Sequence, residues 1–207
     1  WVWNRSPERC QDLIQAGARS AAKAWEVAEQ ADWLITVLSD GPSTSALLLG
    51  DLDQQLNGRT VIQIATIGPE ESQALADGVA ARGGRYLEAP VLGSKPEALL
   101  GRLQLMAGGE PAVFAAAQPI LTQLSEAPRR LGAVGSAMAC KLALNQLIAS
   151  LTHAFSLSLH LVQRSGVEVE AFMEILRGSA LYAPTFDKKL ERELAGDYGN
   201  PNFPTAH

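Results

Sequence analysis

The segment Gly132-Ala-Val-Gly135-Ser-Ala-Met-Ala-Cys-Lys141-Leu-Ala-Leu-Asn145 separates two kinds of sequence in this chain. Its two glycines permit a tight turn and close packing immediately before a helix, and helical periodicity then runs from 136 to 164. Before this segment, short apolar runs alternate with alanine-rich helical stretches, a pattern typical of an α/β domain with a parallel sheet. Only helical patterns follow it. The sequence therefore predicts an α/β domain over 1–134 and an all-α domain over 135–207.

Short apolar runs predict the strands, and capped or alanine-rich stretches predict the helices. The predicted strands lie at 1–3 (the end of a strand), 33–38, 61–65, 86–91 and 103–107. The predicted helices lie at 7–17, 21–30, 69 to the glycine pair 83–84, 111–124, 136–164, 168–177 and 184–194. Pro119 is expected to bend or break the fourth of these helices. The last dozen residues, rich in Gly, Asn and Pro, are predicted to be irregular.

The composition excludes several classes of function. The 207 residues carry a formal net charge of −5 and no basic cluster, which argues against binding to nucleic acid or to an anionic membrane surface. The chain has only two cysteines, Cys10 and Cys140, which lie far apart without nearby partner residues, so neither a disulfide scaffold nor a cysteine-based zinc site is predicted. His153 and His160 lack a third ligand, so no metal site is predicted.

A membrane-spanning helix is the main alternative for the stretch 142–163, which contains no formally charged residue. The stretch nevertheless carries polar side chains that would be costly to expose to lipid, among them Asn145, Gln146, Ser150, Thr152, His153, Ser156, Ser158 and His160. We therefore predict a long helix buried between protein surfaces. No signal-peptide pattern is present, and a soluble, cytoplasmic protein is expected.

Lys141 and Asn145 lie four residues apart and thus share one helix face. A lysine in an otherwise apolar helix is costly to bury unless it is paired or used. One interpretation is that Lys141 extends its ammonium group to solvent. The other is a desolvated ammonium group that donates a proton, with Asn145 orienting it or the substrate.

Two other segments have a chemical interpretation as well as a purely structural one. In Glu88-Ala-Pro-Val-Leu-Gly93-Ser94-Lys95, a strand ends in a Gly-Ser loop whose N–H groups and hydroxyl suit a carboxylate, although an ordinary turn between strands has the same pattern. In Asn4-Arg5-Ser6-Pro7, a guanidinium group, a hydroxyl and free amides before a helix suit a phosphate, although Arg5 is equally compatible with a solvated loop.

These three segments, in this order and spacing, resemble the β-hydroxyacid dehydrogenases. The resemblance is strongest to the NADPH-dependent glyoxylate and succinic-semialdehyde reductases, with 3-hydroxyisobutyrate dehydrogenases as near relatives. The segment over 132–145 is the most specific, since it looks like the start of that family's catalytic helix. The resemblance implies a Rossmann-like NADP-binding domain, a long connecting helix and an all-α domain. It also implies transfer of hydride from NADPH to a small aldehyde acid, or the reverse oxidation of a β-hydroxyacid.

The resemblance assigns roles to individual residues. Lys141 matches the catalytic acid that protonates the carbonyl oxygen, and Asn145 matches a substrate-site residue. Gly93 and Ser94 match the loop that holds the substrate carboxylate. The residues matched to the NADP site are Asn4, Arg5 and Ser6 at the adenosine 2′-phosphate, Leu38 and Ser39 in the lining loop, Thr66 beside the nicotinamide ribose, and Val134 and Gly135 near the nicotinamide. A homodimer or homotetramer is implied, with the long helix and the all-α part at the dimer interface.

The chain departs from the family pattern in several places. Leu92 and Ala65 replace two serines, and no Gly-x-Gly-x-x-Gly turn is present. The chain begins at what would be the end of the second strand and stops before a Lys-Asp-containing helix of the family. We therefore expect an incomplete copy of a reductase of roughly 290 residues that lacks the first, mid-sheet strand and its phosphate turn. Such a chain is expected to bind NADP weakly and to turn over little.

Two alternative functions follow from the same residues. One is an imine reductase of related fold, against which Lys141 argues because that group usually replaces the catalytic lysine. The other is a non-catalytic remnant that serves as a dimerising or interaction module, which the missing glycine-rich turn favours.

Overall fold

The computed structural model describes residues 1–197, so most of the segment predicted to be irregular lies outside the described residues. The chain divides into two compact units, Trp1–Leu142 and Ala143–His207. The division falls inside a helix, a few residues after the predicted domain boundary at 134–135, and that boundary stays a prediction.

The first unit is an α/β structure. Its strands are β1 Trp33–Thr36, β2 Thr60–Gln63, β3 Arg85–Glu88, β4 Val91–Leu92, β5 Gln104–Gly109 and β6 Arg129–Gly132. A 3₁₀ turn over Pro7–Cys10 leads into the first helix, and the helices are α1 Gln11–Gln15, α2 Ala24–Gln30, α3 Gly41–Ser45 with a π-helical continuation Ala46–Asp51, α4 Pro69–Ala81, α5 Lys95–Leu99 and α6 Pro111–Leu124. The structure adds α3 with its continuation, α5 and β6 to the elements that the sequence predicts.

The sheet is mixed rather than parallel, which corrects the sequence-based expectation. Its strand order is β1-β2-β3-β5-β4, with β6 paired to β5. Strands β1, β2 and β3 are parallel, but β5 is antiparallel to both β3 and β4. The reason is local: the chain extends past β3 into β4, reverses around α5, and returns with Leu105 opposite Val91. A reversal this tight gives an antiparallel pair instead of a helical crossover.

The strand predicted at 1–3 is reduced to one bridge between Val2 and Ser20, outside the six-stranded sheet. Two backbone hydrogen bonds form it, from the Val2 N–H to the Arg19 carbonyl and from the Ala21 N–H to the Val2 carbonyl. Trp3 nevertheless packs against the core of this unit. The N-terminal segment is therefore attached to the unit through packing more than through sheet pairing.

Pro119 does not break α6, since the helix runs unbroken from Pro111 to Leu124, and the alternative that it bends the helix stays a prediction. Pro119 and Ala115, whose carbonyl loses its donor to the proline ring, both lie on the exposed face of α6. Water can satisfy that carbonyl, so the helix tolerates the proline.

Each face of the sheet has its own apolar core, because successive strand residues point to opposite faces. On one face, Val61 and Tyr86 pack with residues of α4 and of the π-helical segment. On the other face, Ile62 and Leu87 pack against α6. The helices thus hold the central strands from both sides and leave their carboxyl ends as a defined edge.

Helix α7, Ser136–Arg164, begins in the first unit and continues into the second. The second unit adds α8 Val169–Arg177 and α9 Pro184–Ala195, so the sequence predicted all three helices to within a residue of each end. A small core joins them, in which the rings of Phe155 and Phe186 stack with their centroids 4.8 Å apart.

The expectation that α7 is buried is wrong within this chain. Only 11% of its most apolar 18-residue window is buried. The reason is that α8 and α9 cover one face of α7, around Phe155 and Leu159, and leave leucines such as Leu147 and Leu161 exposed. By length and composition alone, α7 is long and apolar enough to cross a membrane, and core helices of soluble proteins share these two properties. Its packing against another protein surface stays a prediction.

Candidate active site

The carboxyl ends of β1, β2 and β3 lie along one edge of the sheet, because these strands are parallel. Leu38 and Ser39 follow β1, and Thr66 follows β2. Ligands of α/β sheets bind beside this edge. Three of the residues predicted to line the cofactor are thus brought to one side of the first unit.

The loop after β1 is held in one conformation by its own hydrogen bonds. Asp40 caps α3 by accepting from the Ser43 N–H at 2.7 Å, and the Ser39 hydroxyl donates to the same carboxylate at 2.7 Å. Asp40 also fixes Thr44, whose hydroxyl donates to its carbonyl. This local order keeps Leu38 and Ser39 at the carboxyl end of β1.

A row of buried polar side chains crosses the same edge. Thr36, Gln63 and Glu88 are in register on β1, β2 and β3, and each is at most 5% exposed. Within residues 1–197 the Thr36 hydroxyl and the Gln63 amide have no hydrogen-bond partner. Glu88 does: its Oε1 accepts from the N–H groups of Ala137 and Met138, and its Oε2 accepts from the Ser72 hydroxyl.

Sequence reasoning gave Glu88 no function of its own, and the structure shows what was missed. The available indication was a carboxylate at the end of an apolar run, since such a group is very rarely buried without partners. Those partners come from α4 and from the start of α7, and that pairing could not be read from spacing along the chain.

The backbone at Gly108 leaves the space that Glu88 occupies. A Cβ atom at Gly108 would overlap Glu88 Oε1 and lie 2.7 Å from the carbonyl oxygen of Ala133. Neither neighbour is free to move, because one is a buried, hydrogen-bonded carboxylate and the other is backbone. Glycine is therefore required here for close approach rather than for an unusual backbone angle.

We expect Gly108→Ala to lower the free energy of unfolding by about 2–3 kcal/mol, because the methyl group overpacks a rigid site. Gly50→Ala is the matched control, since a Cβ there meets nothing within 4 Å and alanine favours a helix. It should leave stability unchanged or slightly higher. Urea unfolding of both variants measures the difference, and equal stabilities would contradict the crowding at Gly108.

Lys141 lies in the second turn of α7 and is half-buried. Burial lowers its pKa from the ordinary lysine value, because desolvation disfavours the ammonium form. The described part of the chain shows no hydrogen bond or ion pair to its side chain. Partial burial with no partner in the described residues is compatible with either interpretation of Lys141, and its role as a proton donor stays a prediction.

Val134 and Gly135 form the turn that leads into α7. Gly135 is buried with φ +97°, and the Gln73 amide of α4 donates to the Val134 carbonyl at 3.4 Å. The turn is thus fixed against α4, just before the helix that carries Lys141. Asn145 lies one turn after Lys141 on α7 and belongs to the second unit.

The loop at Gly93 and Ser94 already binds a carboxylate of this chain. Gly93 has φ +138°, and Glu97 accepts hydrogen bonds from both the N–H and the hydroxyl of Ser94. These are the donors predicted to hold the substrate carboxylate. In this conformation a substrate would have to compete with Glu97 for them.

The segment Asn4-Arg5-Ser6 lies beside the Val2–Ser20 bridge, before the 3₁₀ turn. Asn4 accepts from the Ser6 N–H at 2.9 Å, which fixes the turn. Arg5 is exposed, and no hydrogen bond or ion pair engages its guanidinium group in residues 1–197. The Ser6 hydroxyl makes no capping bond. A guanidinium group and a hydroxyl that are both unengaged fit a phosphomonoester, as the 2′-phosphate of NADP would require.

The predicted site residues of the first unit thus fall into three places. Leu38, Ser39 and Thr66 follow the parallel strands, and Val134, Gly135 and Lys141 belong to the start of α7. The latter group is joined to the end of β3 through Glu88. Gly93 and Ser94 follow β4, and Asn4, Arg5 and Ser6 precede the first helix, outside the sheet.

Comparison with known proteins matches residues 1–140 to the NAD binding domain of 6-phosphogluconate dehydrogenase. Glyoxylate/succinic semialdehyde reductase 1 of Arabidopsis thaliana is 32% identical over 209 residues, which cover all of this chain and 72% of that protein. The cytokine-like nuclear factor N-PAC of Drosophila melanogaster is 28% identical over all of this chain, but the chain spans only 35% of it.

A solved 3-hydroxyisobutyrate dehydrogenase from Salmonella typhimurium has the same fold. The two structures align with a TM-score of 0.82 at 24% identity, over 94% of this chain and 70% of that one. Together with the match over residues 1–140 and the 32% identity to the Arabidopsis reductase, this confirms the Rossmann-like fold class and the predicted family. The chain belongs to the β-hydroxyacid dehydrogenase family of NAD(P)-dependent oxidoreductases.

Proposed function

We propose that this protein is an NADPH-dependent reductase of small aldehyde acids such as glyoxylate or succinic semialdehyde, with Lys141 as the general acid. The observation that carries the proposal is the half-buried Lys141, whose pKa burial lowers and which has no partner in the described residues. The reverse reaction, oxidation of a β-hydroxyacid, uses the same group as a base. Asn145, one turn along the same helix, is the second polar residue that we assign to the substrate.

In this proposal, residues of the first unit bind the cofactor. Arg5 and Ser6 would bind the 2′-phosphate, Asn4 holds that turn, and Leu38, Ser39 and Thr66 line the edge of the sheet. Val134 and Gly135 would lie near the nicotinamide. NADPH, when bound, supplies the hydride, and the protein supplies the proton and the orientation.

Lys141 performs the acid step through its Nζ. As negative charge develops on the carbonyl oxygen of the substrate, the ammonium group donates a proton to it. A lowered pKa brings this donor closer to the pH at which it works, which improves proton transfer. Gly93 and Ser94 would hold the carboxylate of the substrate and so orient its carbonyl group.

We expect Glu97→Gln to lower KM for a carboxylate substrate about threefold to tenfold, because it replaces an anion that competes for the donors of Ser94. The effect on kcat should be small, since Glu97 does not reach the reacting atoms in this proposal. Glu126→Gln, in an exposed ion pair with Arg102, is the control and should leave KM unchanged. A raised KM for Glu97→Gln would show that Glu97 instead helps to form the site.

We also propose a cytoplasmic homodimer or homotetramer whose interface includes the exposed apolar face of α7. Leu147, Ile148 and Leu151 lie within one turn of each other on this helix and are all at least partly exposed. Burying such a surface against a second copy of the chain would stabilise the assembly. Sedimentation measurements on the wild-type chain and on Leu147→Glu test this part of the proposal.

The second candidate function is a non-catalytic interaction module, and the observation behind it is the similarity over the whole chain to N-PAC, whose name describes a nuclear factor and not an enzyme. Lys141 separates the two candidates, because an interaction module has no need of a half-buried lysine. The third, an imine reductase, is disfavoured by the same residue.

Calorimetric titration with NADPH and assays with glyoxylate and succinic semialdehyde test the proposal directly. They should be run on the wild-type chain and on Lys141→Ala. NADPH binding and Lys141-dependent turnover are expected. If the wild-type chain bound no cofactor and Lys141→Ala changed nothing, the reductase function would be rejected in favour of the module.

A further inference from the structure

Glu88 is a fully buried carboxyl group to which three donors converge. Its Oε1 lies 2.8 Å from the Ala137 nitrogen and 3.3 Å from the Met138 nitrogen, and its Oε2 lies 2.6 Å from the Ser72 hydroxyl. The Ser72 oxygen is also 3.0 Å from the Tyr86 hydroxyl. Because Ser72 gives its only proton to the carboxylate, Tyr86 must donate to Ser72. All protons in this chain of hydroxyls thus point toward Glu88.

Two of the three donors belong to the first turn of α7. Ala137 and Met138 are the second and third residues of that helix, whose first N–H groups have no partner within the helix. Glu88 satisfies two of them, and its negative charge is favourable beside the positive end of the helix. Lys141 follows Met138 by three residues, within one turn of the atoms that Glu88 holds.

The neighbours of Glu88 do not share this task. Gln63 and Thr36 are in register with Glu88 on the adjacent strands, yet their side chains make no hydrogen bond in the described part of the molecule. Gly108, on the other side, contributes only space. Of these side chains, only Glu88 hydrogen-bonds to the start of α7 within the described residues, and it adds a side-chain link to the covalent connection from β6 through residues 133–135.

We infer that Glu88 is a positioning residue: from the end of β3 its carboxylate fixes the first turn of α7, and thereby the place and the electrostatic environment of the Lys141 ammonium group. This inference rests on the proposed function for its link to catalysis. The link from Glu88 to Lys141 does not rest on the proposed function, because the hydrogen bonds and the helix are present whatever substrate the protein acts on.

Three variants separate charge from geometry. Glu88→Gln keeps the size and one acceptor for α7 but removes the charge, and it reverses the donor chain from Ser72 to Tyr86. Glu88→Asp keeps the charge but is one methylene shorter, so it cannot reach both α7 and Ser72. Glu26→Gln is the matched control, because Glu26 accepts the N–H groups of Ala22 and Lys23 at the start of α2, away from α7.

The readouts are chosen so that two of them do not depend on activity. In the full chain, amide hydrogen exchange reports on Ala137 and Met138, and NMR of ¹³C-methylated lysines reports the pKa of Lys141. We expect Glu88→Gln to lower that pKa by about half a unit, since the negative charge at the start of the same helix is lost. Glu88→Asp should largely keep the pKa but speed amide exchange about tenfold or more. Glu26→Gln should change neither.

Steady-state kinetics then test the link to catalysis. We expect both Glu88 variants to lower kcat about tenfold, with KM for NADPH within twofold of wild type, because the acid is displaced and not the cofactor. Each Glu88 variant must melt at the same temperature as the wild type. If one of them does not fold, Ser72→Ala, which removes a single donor to Glu88, takes its place.

An unchanged Lys141 pKa and unchanged exchange in folded Glu88→Gln would overturn the inference. So would equal losses in kcat and in NADPH binding, because these indicate a general structural role. If the wild-type chain shows no turnover at all, the proposed function fails, and the pKa of Lys141 and the amide exchange still decide whether Glu88 acts on that residue.

Discussion

Lys141→Ala is expected to lower kcat for aldehyde reduction about 10²- to 10⁴-fold, the usual contribution of a positioned general acid. KM for NADPH should change little, because the lysine meets the substrate carbonyl and not the cofactor phosphates. The half-buried ammonium group of Lys141 has no partner in residues 1–197, so its removal leaves no other charge unpaired. Steady-state assays with glyoxylate and with succinic semialdehyde measure both constants.

Two further variants make this result specific. Lys141→Arg keeps the positive charge but not the proton donor, because a guanidinium group does not release its proton in this pH range, and it should be nearly as slow as Lys141→Ala. Lys188→Ala removes an exposed lysine on α9 and should leave kcat unchanged. Full activity of Lys141→Arg would mean that charge alone suffices and would reject the acid role.

The pH dependence of the wild type follows from the same residue. Since burial lowers the pKa of Lys141, the ammonium form is lost at a pH below the ordinary lysine value of 10.5. The rate of reduction should therefore fall on the alkaline side with a midpoint below that value. This fall in rate on the alkaline side should be absent in Lys141→Ala.

Arg5→Ala is expected to weaken NADPH binding about 10- to 100-fold, the cost of losing a hydrogen-bonded charge pair with the 2′-phosphate. Binding of NADH, which has no phosphate there, should change by less than about twofold. The preference for NADPH over NADH should thus disappear. Calorimetric titrations with the two cofactors give the ratio directly.

Arg129→Ala is the control for Arg5, because it removes another exposed arginine, on β6, from the same unit. It should lower affinity for neither cofactor. If Arg5→Ala weakened both cofactors equally, Arg5 would contribute general binding and not discrimination. A protein that binds NADH as tightly as NADPH before any substitution would contradict the proposed cofactor.

The sequence predicted the secondary structure well where the apolar pattern is long and depends on neighbouring residues only. Helix α7 has the predicted bounds, because glycines end the preceding turn and Ser165-Gly166 follows its last residue. Strands β2 and β3 are apolar runs with turn residues on both sides and lie close to their predicted places. Family membership was readable because three motifs occur in the expected order.

The failures occur where tertiary contacts outweigh the local pattern. The antiparallel return of β5 follows from a reversal around α5, which no periodicity in the sequence marks. Strand β6 contains Arg129, Arg130 and an exposed Leu131, so it lacks the apolar alternation that identifies a strand. The binding of Ser94 by Glu97 has the Ser-x-x-Glu spacing of a capping box, a signal in the sequence that was not used. Glu88 has no such local signal, because its partners lie 16 and 49 residues away.

The buried hydroxyl of Tyr86 has a consequence for the alkaline limit of the folded state. Desolvation, first of all, raises its pKa well above the ordinary tyrosine value of 10.0, and the nearby Glu88 adds to the rise. In the unfolded chain the phenol ionises near pH 10, whereas in the folded protein it keeps its proton. Above pH 10 the folded state therefore binds more protons, and the free energy of unfolding falls by up to about 1.4 kcal/mol for each pH unit from this group. Below pH 10 both states hold the proton, and the contribution of Tyr86 is constant.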